Sequence, residues 1–508
     1  EEVMDEASDE KPEEDKEKTE EVTSEETTAE EKVDVEKTAS AAESSGIGWG
    51  GAALGGLAAA AAAGGGGGGG GGSDGTYRNT ISGSYGSEYS AQAGLASVNA
   101  LGLNDYGYTG SGIKVGVVDS GIDKTHAEFD GKTIYGRDFA SSATGYGFDE
   151  NGHGSHVASI IAGDRDASGM RGVAYDATLF DYKTDNDGDS GLEAISSDSA
   201  IASIFNQHVT DNINVSNNSW GLGSSITGYS AATLRASFPN TISALTAAKN
   251  NGTLLVFAAG NDSNAEVDYA GGLPYRISEL ANEWLVVGAV STSGVEASFN
   301  NRCGVAKAFC VVAPGVNIYA AQANGTYTTM SGTSMAAPHV AGIGAALMEK
   351  FPSLTTAQIA TRIKTTASRT GLTGRGGETT GNSTTSQMEA IFGYGLVNST
   401  AAAARIGSYI YANGSNLNNG QNLSVSKLSL PTGLPASTQN QVLGSKFIVF
   451  DSFDGARFSV GGKEVFEASH SSIARTYGTT KTIDTHSNLD LSFTSSGQKI
   501  TPSKWAPR

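Results

Sequence analysis

Gly332-Thr333-Ser334-Met335-Ala336-Ala337-Pro338-His339-Val340-Ala341-Gly342 is the stretch from which the fold can be read. A serine follows a Gly-Thr pair, and an apolar run rich in Ala and Gly continues through Leu347 and Met348 before Pro352. This pattern predicts a loop turning into a buried helix, with Ser334 in the first turn. Backbone N–H groups at such a terminus are unpaired and the dipole end is positive, so an oxyanion forming beside the hydroxyl would be favoured. The small residues let the helix pass close to a sheet. Taken alone, an ordinary capping serine on a packed core helix explains the stretch equally well.

Two upstream stretches change that balance. Ile113-Lys114-Val115-Gly116-Val117-Val118-Asp119-Ser120-Gly121-Ile122-Asp123 is a short apolar run ending in an acid. It reads as a buried parallel strand with Asp119 at its carboxyl end, where open α/β sheets place their ligand crevice. Asn151-Gly152-His153-Gly154-Ser155-His156-Val157-Ala158-Ser159-Ile160-Ile161-Ala162-Gly163 sets His153 between two glycines at the start of a second apolar helix. An acid, an imidazole and a hydroxyl thus sit at element ends in the order Asp, His, Ser.

These three motifs resemble the subtilisin-like (subtilase) serine peptidases, over roughly Tyr77 to Arg405. The chain order Asp, His, Ser is the known one for the subtilisin triad. The resemblance implies an α/β fold, a mostly parallel sheet with helices on both faces, and a serine endopeptidase. Ser334 would be the nucleophile, His153 the base that takes its proton, and Asp119 the group that fixes the imidazole tautomer. Asp123 is a weaker rival for the acid. Asn261 closes Leu254-Leu255-Val256-Phe257-Ala258-Ala259-Gly260-Asn261 at another strand end. By resemblance its side-chain amide and the Ser334 N–H would hold the oxyanion. Val215-Ser216-Asn217-Asn218-Ser219-Trp220-Gly221 matches the family's edge strand, which would pair with a peptide backbone. The resemblance therefore implies substrate binding by Asn218, Ser219, Trp220 and Gly221 with Ala258, Ala259 and Gly260. The indole of Trp220 is expected to narrow or line a largely apolar pocket. Of the other histidines, His126, His156 and His339 read as structural, and His208, His470 and His486 as surface residues.

Composition sets the wider frame. The net charge is −21, and Glu1 to Ser45 alone hold 19 acids and five lysines, so the remaining chain is only mildly acidic. Nothing in it suggests a nucleic-acid partner. The two cysteines, Cys303 and Cys310, read as a disulfide closing a short loop, which suits an exported protein; a cytosolic pair of thiols is the alternative. No secretory signal is visible, and the chain begins at Glu1.

Three regions follow. Residues 1–75 are read as a disordered acidic head plus an Ala/Gly tether that includes nine consecutive glycines, Gly64 to Gly72. Ile47 to Ala63 has about the length of a marginal membrane span, but its glycines make it weakly hydrophobic. Residues 76–407 form the expected peptidase domain. A helix is predicted over Tyr89 to Leu103. Strands are predicted at Thr178 to Tyr182, Ile213 to Ser216, Thr253 to Ala259, Trp284 to Val290 and Phe309 to Ala313. Helices are predicted over Leu192 to Asn206, Ala231 to Asn250, Thr356 to Ala367 and Leu396 to Arg405. Residues 408–508 read as linker and a β-rich C-terminal segment.

Asp185-Asn186-Asp187-Gly188-Asp189 superficially resembles a calcium loop but lacks the downstream bidentate Glu, so calcium is kept only as a candidate ion. No cofactor is assigned with certainty. Asn301-Arg302-Cys303-Gly304 through Cys310-Val311-Val312-Ala313-Pro314-Gly315, and the tail around Phe447-Ile448-Val449-Phe450, look most like subtilases carried by bacterial autotransporters. That likeness implies display at, or shedding from, a bacterial surface. Such proteins carry a carboxy-terminal outer-membrane barrel, so either a barrel is left out of this sequence or the resemblance stops at the passenger. A surface-displayed binding module on a peptidase fold is the alternative function. An esterase is disfavoured, because the nucleophile lacks a Gly-x-Ser-x-Gly elbow.

Overall fold

The structure is a computed structural model and describes residues 86–140, 145–185, 193–411, 421–422, 428–430 and 433–467. The predicted acidic head and tether, His470, His486 and residues 186–189 lie outside the described residues. Seven strands make one sheet: β1 (Lys114–Asp119), β2 (Tyr135–Asp138), β3 (Thr178–Lys183), β4 (Val215–Asn218), β5 (Leu254–Ala258), β6 (Trp284–Val290) and β7 (Cys310–Pro314). Their order is β2-β3-β1-β4-β5-β6-β7, and every neighbouring pair is parallel.

The strands alternate between two apolar faces because side chains point to opposite sides with period two. Val115, Val117, Leu254, Val256, Leu285 and Val287 belong to one buried cluster; Val118, Leu255, Phe257, Trp284 and Val286 belong to the other. Near-continuous apolar runs are what a parallel sheet covered on both faces requires. On the first face lie α1 (His153–Ala162) and α4 (Thr333–Lys350), which pack on each other. On the second lie α2 (Asp198–Asp211) and α3 (Pro239–Asn250). The helix α5 (Thr356–Thr366) opens on a capping box made by Thr355 and Gln358.

Several elements differ from the sequence reading. The helix expected over Tyr89 to Leu103 is three short turns, Ser87–Ala91, Gly94–Ser97 and Leu101–Asn104, with Asn99 at φ 54° interrupting the run. The helix expected from Ala231 to Asn250 is two, Ala231–Ser237 and α3, since Pro239 cannot continue the first and starts the second. Helix α2 starts at the Ser197 cap and ends at Asn212, which takes a left-handed conformation. His208 is fully buried, not on the surface. Its ring stacks on Tyr182 at 4.3 Å and meets Ser216 Oγ at 2.9 Å, because it continues the Ile201, Ile204, Phe205 stripe that faces the sheet.

Beyond the sheet, β8 (Ile318–Gln322) and β9 (Thr326–Met330) form an antiparallel hairpin, and β8 lies against α1. The strands Tyr409–Tyr411, Gln421–Asn422, Lys446–Asp451 and Arg457–Gly461 build a separate four-stranded antiparallel sheet. Val449, Phe458 and Val460 from this tail join the first core cluster. Arg362 of α5 is fully buried there. It donates to Asp454 Oδ2 at 2.8 Å, Asp451 Oδ2 at 3.0 Å and the Ala402 carbonyl at 2.9 Å. Among the described residues no helix is long and apolar enough to cross a membrane.

Candidate active site

Asp119 ends β1 and His153 begins α1, and backbone contact brings them together. A Cβ placed on Gly154 would lie 2.1 Å from the Gly121 carbonyl oxygen, so only glycine lets the helix start touch the turn after β1. Gly152 caps α1 at φ 92°, and a Cβ there would meet Gln322 Nε2 at 1.9 Å. In this frame His153 Nδ1 meets Asp119 Oδ1 at 2.6 Å. Asp119 is 3 % exposed and the imidazole 31 %. Burial alone opposes charge on His153, but the Asp119 carboxylate, its hydrogen bond and the more distant Asp149 outweigh it and raise the imidazole pKa above 6.5. Asp123 does not reach His153. Its carboxylate accepts from Thr125 N and Oγ1 and from Asn324 N.

Asp149 is a site residue that the sequence motifs do not mark. Its buried carboxylate accepts from Ser120 Oγ (2.9 Å), Gly152 N (2.7 Å), Ser155 N (2.8 Å) and Ser155 Oγ (2.7 Å). It therefore ties the turn after Asp119 to the first turn of α1. The Ser120 hydroxyl also accepts from Gly154 N, and the Ser120 N–H donates to Asp119 Oδ1 at 2.8 Å. An acid four residues ahead of His153 is the one signal the sequence offers for it.

Ser334 lies in the first turn of α4 and is 9 % exposed. Its Oγ donates to the Ser219 carbonyl at 2.9 Å, and among the described residues no hydrogen bond joins it to His153. Such contacts are often loose until substrate arrives. The Ser219 hydroxyl in turn donates to the Ser334 carbonyl at 2.8 Å.

Asn261 is exposed just beyond β5. Its Oδ1 accepts from Thr333 N (2.8 Å) and Thr333 Oγ1 (2.9 Å). The loop carrying it is braced by buried Asn301, whose Oδ1 accepts from Asp262 N (3.0 Å) and Asn264 N (2.9 Å). Two residues on, Cys303 and Cys310 are joined as a disulfide, and both are buried.

Asn218 ends β4, with Nδ2 donating to Ser216 Oγ (3.0 Å) and the Val256 carbonyl (3.2 Å). Ala258 and Ala259 are buried at the end of β5. Gly260 is at φ 104° beside Asn301, and Gly221 stands close to the Asp268 carboxylate. The Trp220 side chain is 7 % exposed and meets Phe257 edge-on at 5.5 Å. With Ile201, Leu222, Tyr269 and Ala270 it lines an apolar cavity behind the strand end. Among the described residues no group of three or more His, Cys, Asp or Glu side chains could hold a metal ion.

A parallel sheet that sets an acid, an imidazole and a hydroxyl around its carboxyl edge has the layout of a serine peptidase. Comparison with known proteins narrows the class. Residues 110–395 match the model of the subtilase family, and the chain belongs to that family. It is 33 % identical over 278 residues to subtilisin DY of Bacillus licheniformis, covering 55 % of this chain and 92 % of that one. It is 36 % identical over 279 residues to a thermostable alkaline protease of Halalkalibacterium halodurans, covering 55 % and 68 %. It is also 30 % identical over 376 residues to an extracellular serine protease of Serratia marcescens, covering 61 % of this chain but only 33 % of that protein. The protein is a subtilisin-like serine endopeptidase.

Proposed function

We propose that Ser334 attacks the scissile carbonyl while His153 Nε2 takes its proton, with Asp119 holding the imidazole. The single observation behind this assignment is the 2.6 Å contact between Asp119 Oδ1 and His153 Nδ1. It commits Nδ1 and leaves Nε2 as the basic nitrogen. A rotation of the Ser334 side chain away from the Ser219 carbonyl would bring the alcohol to its base. The developing oxyanion would be held by Asn261 Nδ2 and the Ser334 N–H, which lies in the first turn of α4 and has no partner within the helix. An acyl-enzyme forms, the amine leaves with the proton returned by His153, and water completes hydrolysis.

The substrates are proteins or peptides lying along Asn218 to Gly221, with a side chain entering the apolar region bounded by Ala258, Ala259 and Gly260. The buried disulfide and the extracellular Serratia relative support export. Display on a bacterial surface, in the manner of autotransporter subtilases, is the finer reading and rests on the sequence motifs alone. Calcium binding at Asp185 to Asp189 is likewise proposed from sequence, and a chelator-induced fall in Tm would test it.

Replacing Ser334 with Ala should abolish hydrolysis of unfolded protein and labelling by a fluorophosphonate. Undiminished hydrolysis by that variant would overturn the assignment.

A further inference from the structure

Helix α4 contains a proline, Pro338, five residues after its start at Thr333. In an α-helix the N–H of each residue bonds the carbonyl four residues earlier, and proline has no N–H to give. The carbonyl deprived by Pro338 is that of Ser334. This carbonyl is not left empty, because the Ser219 hydroxyl donates to it at 2.8 Å. Ser219 is itself 4 % exposed, and Asn217 Nδ2 donates to its Oγ at 2.9 Å. The donor thus comes from the end of β4, on a different element from the nucleophile, and is held in place by a second side chain.

We propose that the Ser219 hydroxyl is a positioning residue for the nucleophile: it replaces the helical N–H that Pro338 cannot supply and so fixes the peptide plane that follows Ser334. The reciprocal bond, from Ser334 Oγ to the Ser219 carbonyl at 2.9 Å, shows how closely the two segments are docked. Ser219 acts through the Ser334 carbonyl, so its side chain is separate from the backbone edge that would receive a peptide. The inference rests on Ser334 being the nucleophile.

Helical geometry supplies the test, because replacing the proline with alanine would restore the missing donor. Ser219→Ala, Pro338→Ala and the double variant form a double-mutant cycle, with kcat expressed per site titrated by a fluorophosphonate. With Pro338 present, Ser219→Ala strands a buried carbonyl and should lower kcat roughly tenfold with KM little changed. In the Pro338→Ala background, the same substitution should change kcat by less than about twofold. An equal loss in both backgrounds, or a loss confined to KM, overturns the role of Ser219. Continued labelling at Ser334 in those variants leaves the nucleophile assignment standing. If Ser219→Ala alone does not fold, the double variant against Pro338→Ala decides the matter: equal kcat supports the proposal, and a loss of about tenfold sinks it.

Discussion

Asn261 and Thr333 are locked together through one oxygen: the carboxamide Oδ1 accepts both the backbone N–H and the hydroxyl of Thr333, at 2.8 and 2.9 Å. Both lone pairs are used, which fixes the amide so that Nδ2 is the end left free for the proposed oxyanion contact. Asn261→Leu should therefore lower kcat by about 10²–10³ with KM nearly constant. Thr333→Val keeps the backbone bond and should cost about tenfold or less. Steady-state kinetics on a peptide substrate measures both, and equal losses would contradict the orienting role.

The pH profile follows from His153. As the proposed general base it must be neutral, and its pKa is raised above 6.5. Activity should fall as pH drops through that raised value, placing the acid limb of kcat/KM above pH 6.5. A limb centred lower would mean that Asp119 does not dominate the imidazole.

Asp181 lies buried in β3, accepting from Gly147 N at 2.7 Å and Ile122 N at 3.2 Å, with Oδ1 unpartnered among the described residues. Burial pushes its pKa up to about 8. A carboxyl raised in the folded state stabilises fully below its unfolded pKa, near about 4, and that contribution is lost as pH rises towards 8. Asp181→Asn should remove this loss. The Tm difference between variant and parent should grow in the variant's favour from about pH 4 to about pH 8, and a difference independent of pH would refute the reading.

Arg362 is the buried link to the C-terminal strands. Arg362→Met would leave Asp451 and Asp454 buried without their cation, a change costing on the order of 3–5 kcal/mol. Denaturant unfolding should show that loss, while kcat of the folded fraction should stay close to the parent value.

What the sequence makes legible is whatever a local pattern decides. Trp284 to Val290 is an unbroken apolar run, and its predicted bounds match β6. Asp119, His153 and Ser334 announce themselves by glycines and small residues that only close packing explains. Strand β2 escapes such a reading because Tyr135–Asp138 is a half-exposed edge carrying Gly136 and Arg137, with no apolar period. His208 reads as a surface residue by its polarity, although the spacing 201, 204, 205, 208 already marks a buried stripe. Asp149 and Asn301 act across loops, and no local period records such contacts. The bearing of Pro338 on Ser334 can be counted in the sequence, but its answer, Ser219, lies 115 residues away.

The abutment of Gly154 on Gly121 bears on how the molecule reacts to its surroundings. Main chain touches main chain there, so the separation of acid and imidazole is inherited from the path of the polypeptide. Side-chain motion, solvent or an arriving peptide has little purchase on it. The Asp119–His153 half of the proposed machinery is therefore set by the backbone itself, before any substrate arrives.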